Sequence, residues 1–146
     1  MDVTVKIEPG RREPRVVLYA GADTPELREL AEKLAGLSLG PVPAFQGERA
    51  VLLEPRQVLR FFADGRGVSA QTEEGIFAVR LRLYELEERL TPRGFLRVSH
   101  SELVNRRKIT GLDLSLTGTI RMTLEGDVTV YVSRRYVKKI KEALGL

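Results

Sequence analysis

The most constraining feature of the chain is an alternation of apolar and polar residues between positions 112 and 132. Three segments place an apolar side chain at every second position, and turn-forming residues separate them. The segments are Leu112–Leu116, Ile120–Leu124 and Val128–Val132, and the turns are Thr117-Gly118 and Glu125-Gly126-Asp127. Period-two alternation predicts strands with one buried and one solvated face, and such short turns join antiparallel strands. We therefore predict an antiparallel sheet here.

More short strands are predicted upstream, between breaks that contain proline or glycine. They are Ala50–Leu53, Val58–Ala63, Val68–Thr72, Ile76–Val79 and Phe95–Val98. Leucine spacing predicts a helix over Leu81–Leu90, whereas Ser101–Asn105 is long enough only for a turn of helix. Gly40-Pro41-Val42-Pro43 is typical of a linker. Residues 46–146 are therefore expected to form one mainly β domain of the α+β class, with small antiparallel sheets and short helices.

Residues 1–45 are predicted to form a small β-β-α head. Val3–Ile7 and Val16–Tyr19 favour strands, Thr24-Pro25-Glu26 is typical of a helix start, and Gly36 of a helix stop. The helix carries three leucines on one face, Leu27, Leu30 and Leu34. A unit of this size is small for independent stability. We expect it to pack against the second domain, against another copy in a homodimer, or against a partner.

Charge and composition narrow the function. The net charge is +4, and residues 93–146 carry eleven Lys or Arg against five Asp or Glu. An excess localised in this way favours nucleic acid or another anionic surface. With no cysteine and a single histidine, His100, we expect no metal site, no cofactor, no small-molecule substrate and no enzymatic activity. The N-terminus has no signal-peptide pattern, and no apolar run approaches the roughly 20 residues that a membrane span needs. We therefore expect a cytoplasmic protein.

Residues 133–141 place cations where a helix disfavours them. Ser133 is a predicted N-cap whose hydroxyl accepts from the first turn, and Arg134 and Arg135 then occupy that turn. A helix N-terminus carries roughly +0.5 charge, so two arginines there are unfavourable unless an anion faces them. Free N–H groups beside guanidinium groups favour a phosphate ligand. The alternative is a solvated basic helix.

Four polar loops are candidates for a binding surface. They are Arg66 with Ser69, Ser99-His100-Ser101, Asn105-Arg106-Arg107-Lys108 and Ser133-Arg134-Arg135. Such residue types contact phosphates and base edges. Asn105 has an alternative role, in which its side chain bonds backbone inside the fold, and the basic residues after it also fit a solvated turn. The aromatic content of 6% disfavours single-stranded nucleic acid.

The order of these motifs resembles that of LytTR-type DNA-binding domains. Phe95 to Asn105, FLRVSHSELVN, is similar to the family core F-x-R-hydrophobic-x-x-S-x-hydrophobic-V-N, and Lys108-Ile109 follows as in that family. The segment 80–90 is similar to its L-x-E-L-E-x-x-L helix, and Ser133 to Tyr136 to its S-R-R-Y helix start. The resemblance covers residues 46–146. It implies a bacterial transcription regulator that inserts loops into successive major grooves of duplex DNA at repeated half-sites and bends the DNA.

By position, the resemblance implies that Ser69 lies on the first recognition loop, that His100 and Arg135 contact bases, and that Ser101 and Ser133 contact phosphates. The other phosphate candidates are inferred from residue type and position in the polar loops and the last helix. They are Arg66, Asn105, Arg106, Arg107, Arg134, Lys138 and Lys139.

Residues 1–45 are too few for the receiver domain of about 120 residues that many members carry. The resemblance is therefore to stand-alone LytTR regulators with a short strand–helix head, in which a membrane-protein partner often takes part in control. Two other classes stay open on the residues alone. One is an RNA-binding or ribosome-associated basic β domain, and the other is a protein-interaction module with an incidental basic surface.

Overall fold

The computed structural model describes residues 1–12, 14–35 and 40–146, apart from the side chain of Ala35. The chain divides into two units, Met1–Gly40 and Pro41–Leu146. The division falls within the expected linker, but residues 42–46 form a strand, so the expected boundary between positions 45 and 46 cuts through it. Across the described residues, no helix combines the length and apolar character needed to cross a bilayer.

The first unit contains the predicted helix but not the predicted strands. Helix α1 spans Pro25–Ala35, and the Thr24 hydroxyl accepts a hydrogen bond from the first turn at 3.1 Å. The described residues from 1 to 23 form no strand, so the expectation of a β-β-α head is wrong in its two strands. Val3, Val5 and Ile7 are 79–81% exposed, and two strands without a covering layer are marginal in water. Gly36, the expected helix stop, lies outside the described residues.

The second unit is built on a seven-stranded antiparallel sheet of order β2-β1-β5-β4-β3-β7-β6. The strands are β1 (Val42–Gln46), β2 (Arg49–Leu53), β3 (Val58–Ala63), β4 (Val68–Thr72), β5 (Gly75–Val79), β6 (Phe95–Ser99) and β7 (Glu102–Asn105). Two of them correct the sequence prediction. The expected linker contributes to β1 because Val42 and Ala44 are buried, and the expected helical turn is β7 because Leu103 and Val104 pair with strands on both sides.

The predicted three-stranded antiparallel sheet is confirmed, with order β10-β9-β8. Its strands are β8 (Ile109–Asp113), β9 (Ile120–Leu124) and β10 (Val128–Val132). Strand β8 begins and ends three residues before the predicted segment. Asp113 pairs with Arg121 through an ion pair of 2.7 Å and accepts from Ser115, which turns the chain away from the sheet. The Ser115 hydroxyl and N–H, together with Arg121, hold the pKa of Asp113 below its ordinary value.

Two helices complete the second unit, each on its own hydrophobic core. Helix α2 (Leu83–Leu90) buries three leucines against one face of the seven-stranded sheet, in a core with Phe61 and Phe95. Helix α3 (Arg134–Leu144) places Ile140 in a second core with residues from β6, β7 and the three-stranded sheet. The fold is mostly β, with antiparallel sheets and three short helices among the described residues, as predicted.

Candidate nucleic-acid interface

Two backbone hydrogen bonds bring three of the four candidate loops to one end of the second unit. The Ala63 N–H, at the end of β3, donates to the carbonyl of Ser101 in the β6–β7 turn at 2.9 Å. The Ser133 N–H, just before α3, donates to the carbonyl of Val98 in β6, also at 2.9 Å. These bonds join the β3–β4 turn, the β6–β7 turn and the start of α3. We call residues 64–69, 99–101 and 133–139 the loop cluster.

The β3–β4 turn presents Arg66 to solvent. The Asp64 carboxylate accepts from the Arg66 N–H at 3.0 Å, and the Asp64 N–H donates to the Gly67 carbonyl at 3.2 Å. These bonds stabilise the turn internally, and the Arg66 side chain is exposed. Ser69 does not lie on this loop, which corrects the placement that the resemblance implied. It is a half-buried residue of β4, paired with Phe62 and Ala78.

The β6–β7 turn is closed by hydrogen bonds that leave His100 exposed. The Ser101 N–H donates to the Ser99 hydroxyl at 3.2 Å, and the two serine hydroxyls lie 3.4 Å apart. The largely buried Arg97 guanidinium donates to the carbonyls of Ser99 and His100 at 2.7 and 2.5 Å. Arg97 was not among the functional residues predicted from the sequence, although its place as the arginine of the FLRVSHSELVN motif was an available signal.

The start of α3 presents cations without a side-chain cap. Ser133 is the N-cap residue with extended backbone, as predicted, but its hydroxyl makes no capping hydrogen bond, so that part of the prediction is wrong. The Ser133 carbonyl instead accepts from the Tyr136 N–H at 2.9 Å. No acidic residue lies in the first turn, where Arg134 and Arg135 are both exposed. Nothing within this turn compensates the positive end of the helix, which favours an external anion.

Arg134 and Arg135 differ in what holds them. The Nη2 and Nε atoms of Arg134 lie 3.0 and 3.2 Å from where a Cβ on Gly118 would be, so the guanidinium packs against the β8–β9 loop. The Thr119 hydroxyl donates to the Val132 carbonyl at 2.6 Å and ties that loop to β10. Among the described residues, neither arginine forms a salt bridge, so this packing against Gly118 is what distinguishes Arg134. A larger residue at position 118 would therefore displace Arg134 specifically.

The fourth candidate loop lies elsewhere, since Arg106 and Arg107 follow the opposite end of β7. The Arg106 N–H donates to the Gly94 carbonyl at 3.0 Å, at the start of β6. Five residue steps of about 3.3 Å put roughly 17 Å between Ser101 and Arg106. Lys108, in the same loop, forms an ion pair of 3.0 Å with Glu125. The structure therefore does not bring these residues into the loop cluster.

Asn105 is a structural residue, which corrects its place among the phosphate candidates. It is 1% exposed, so a phosphate has no access to its side chain. Its amide donates to the Val58 carbonyl at 2.9 Å, and its oxygen accepts from the Arg107 N–H at 3.1 Å. The alternative role given by the sequence, bonding backbone within the fold, is confirmed.

Residues 48–145 match the family model of the LytTr DNA-binding domain. The chain belongs to the LytTR family. Two Staphylococcus aureus proteins, each named an uncharacterized HTH-type transcriptional regulator, are among its relatives. The one from strain NCTC 8325 is 42% identical over 95 residues, and the one from the bovine strain RF122 is 45% identical over 89 residues. These matches cover 65% and 61% of this chain, and 64% and 60% of the respective relatives.

A solved structure shares the LytTR fold. The LytTr DNA-binding domain of a Bacillus cereus protein superposes with a TM-score of 0.71 at 20% sequence identity, and the match covers 75% of this chain and all of that one. Helices α2 and α3 are separated in sequence by five strands, so the described part of this LytTR chain has no tandem helix pair.

Proposed function

We propose that the chain is a transcriptional regulator that binds duplex DNA sequence-specifically, with the loop cluster inserted in successive major grooves at repeated half-sites and the DNA bent between them. Membership of a DNA-binding family supports duplex DNA as the ligand. The proposal that the three loops bind DNA together rests on one observation. The hydrogen bonds from Ala63 to Ser101 and from Ser133 to Val98 hold these polar loops side by side. Such a regulator would act on the chromosome, in the cytoplasm.

The proposed contacts divide into base readout and phosphate neutralisation. Arg135 can donate two parallel hydrogen bonds to O6 and N7 of guanine, which discriminates by about 1–3 kcal/mol. His100, exposed at the tip of its turn, is the second proposed base contact. The proposed phosphate contacts are Arg66, Ser101, Ser133, Arg134, Lys138 and Lys139. A base contact by Ser69 stays a prediction, and its place on β4 sets it back from the turn.

We also propose that the regulator is a homodimer, as repeated half-sites require two copies of the reading unit. The first unit supports this because several of its apolar residues are exposed. Tyr19 is 94% exposed and Val16 is 61% exposed, besides the apolar residues of the 3–7 segment. Sedimentation of the full chain should show a dimer whose dissociation constant rises when Val16 and Tyr19 are replaced by Ser. Control by a membrane-protein partner stays a prediction from the family resemblance.

Selection of duplexes from a randomised pool by the full chain tests the proposed function. The expected product is a recurring sequence motif in two copies, bound more tightly than a scrambled duplex of equal length. A structured RNA that displaces the selected duplex at equal concentration would favour the RNA-binding class instead. No enrichment, together with an affinity for duplex that does not fall with salt, would favour a protein-interaction module.

Two substitutions on α3 separate the proposed roles. Arg135→Ala is expected to relax the selected motif at one base pair, because the side chain that reads guanine is gone. Lys139→Ala is expected to weaken selected and scrambled duplexes by the same factor, because a phosphate contact carries no sequence information. Equal loss of discrimination in both variants would show that these roles are misassigned.

A further inference from the structure

Arg97 joins three elements through a single guanidinium group. Its Nε donates to the carbonyl of Ser99 at 2.7 Å, and its Nη2 donates to the carbonyl of His100 at 2.5 Å. Its Nη1 lies 3.5 Å from a carboxylate oxygen of Glu87 on α2. The Arg97 side chain is 11% exposed, so it faces the protein rather than solvent. The group therefore links α2 to the backbone of the β6–β7 turn.

The turn needs these bonds because the strand ladder is interrupted there. Pairing between β6 and β7 shifts register between Arg97 and Ser99. Carbonyls next to such an irregularity lose regular strand partners, and unpaired polar groups are unfavourable unless a donor reaches them. A planar guanidinium has several donors in fixed directions and can hold two carbonyls and a carboxylate together, which a lysine ammonium on a flexible stem cannot reproduce.

We propose that Arg97 is a positioning residue for the DNA contact of His100. By holding the carbonyls of the two peptides that flank the His100 Cα, it orients the backbone from which the imidazole projects into the groove. Arg97 itself does not reach DNA. The inference rests on the proposed function, because it needs His100 to read a base.

A double-mutant cycle with the full chain tests this role. The probes are the duplex selected by the wild-type chain and a scrambled duplex of the same length and composition. Arg97→Lys is expected to lower the ratio of the two affinities roughly tenfold, the scale of one mismatched base pair, and to leave the scrambled duplex almost unaffected. In the His100→Ala background, Arg97→Lys should lower the ratio no further, because the group that it positions is absent.

Arg121→Lys is the matched control. Arg121 also pairs with a carboxylate, Asp113 at 2.7 Å, but on the three-stranded sheet. The Arg121→Lys variant should leave the ratio of the two duplex affinities unchanged. Equal weakening of both duplexes by Arg97→Lys, or the same fall in the ratio with and without His100, would overturn the positioning role. An unchanged ratio in His100→Ala would overturn it too, since the base contact would then not exist.

A measurement without DNA separates failure of this inference from failure of the proposed function. In ¹⁵N–¹H spectra of the free chain, Arg97→Lys should shift the amide signals of residues 99–101, and Arg121→Lys should not. If these amides keep their positions in Arg97→Lys, the guanidinium does not set the turn and the inference is wrong, whatever the chain binds. If they shift but the wild-type chain selects no duplex, the proposed function fails, and the positioning role for DNA with it.

Discussion

Replacing Asn105 by Ala is the substitution with the most clearly defined effect. The variant loses two hydrogen bonds, one to the Val58 carbonyl at 2.9 Å and one from the Arg107 N–H at 3.1 Å. Val58 is fully buried, so water cannot replace the lost donor, whereas Arg107 is exposed and its N–H can be rehydrated. The loss of one donor to a buried carbonyl, the loss of the bond from Arg107 and the small void together predict a loss of about 2–4 kcal/mol in the free energy of unfolding.

Urea unfolding of the full chain measures this loss. Thr110→Val is the matched control, because the exposed Thr110 also donates one side-chain hydrogen bond to a carbonyl, that of Thr123 at 3.2 Å. It should change the free energy of unfolding by less than about 0.5 kcal/mol. The folded fraction of Asn105→Ala should bind the selected duplex like the wild type. Unchanged stability with weakened DNA binding would refute the structural role and restore Asn105 as a phosphate contact.

Two further predictions use matched pairs of residues. Gly118→Ala and Gly126→Ala should reduce stability equally, by about 1–2 kcal/mol, because both backbones have φ near +75°. Only Gly118→Ala should weaken duplex binding, because only it displaces Arg134; equal binding by both variants would contradict this. Lys138→Ala should reduce the slope of log affinity against log salt by about 0.9, the value for one phosphate contact, and Arg106→Ala should leave that slope unchanged. The reverse result would place the DNA at the other end of β7.

The strands that the sequence predicted correctly are those whose evidence is local. Strands β9 and β10 match the predicted bounds, as do β3 and β4, because alternation marks the first two and breaks with proline or glycine bound the others. Strand β7 was missed since it is stabilised by neighbours distant in sequence, with Phe61 of β3 opposite Leu103. In β1, Pro43 obscured the buried alternation of its neighbours.

The candidate site was predictable by residue type but not by arrangement. His100 and Arg135 are exposed at the ends of predicted elements, which the local pattern indicated. That Arg106 lies away from them follows from the path of β7, whose residues the sequence assigned to a helical turn. The contact of Arg134 with Gly118 depends on the tertiary packing of the β8–β9 loop against α3, for which no sequence signal exists.

The central claim is that three loops at one end of the second unit bind DNA together. Titration of the ¹⁵N-labelled chain with its selected duplex tests this claim residue by residue. The account predicts that amide signals change in all three segments of the loop cluster, 64–69, 99–101 and 133–139, and that those of residues 106–108 and 125–127 do not. Changes centred on residues 106–108 and 125–127, with the loop cluster unaffected, would contradict it.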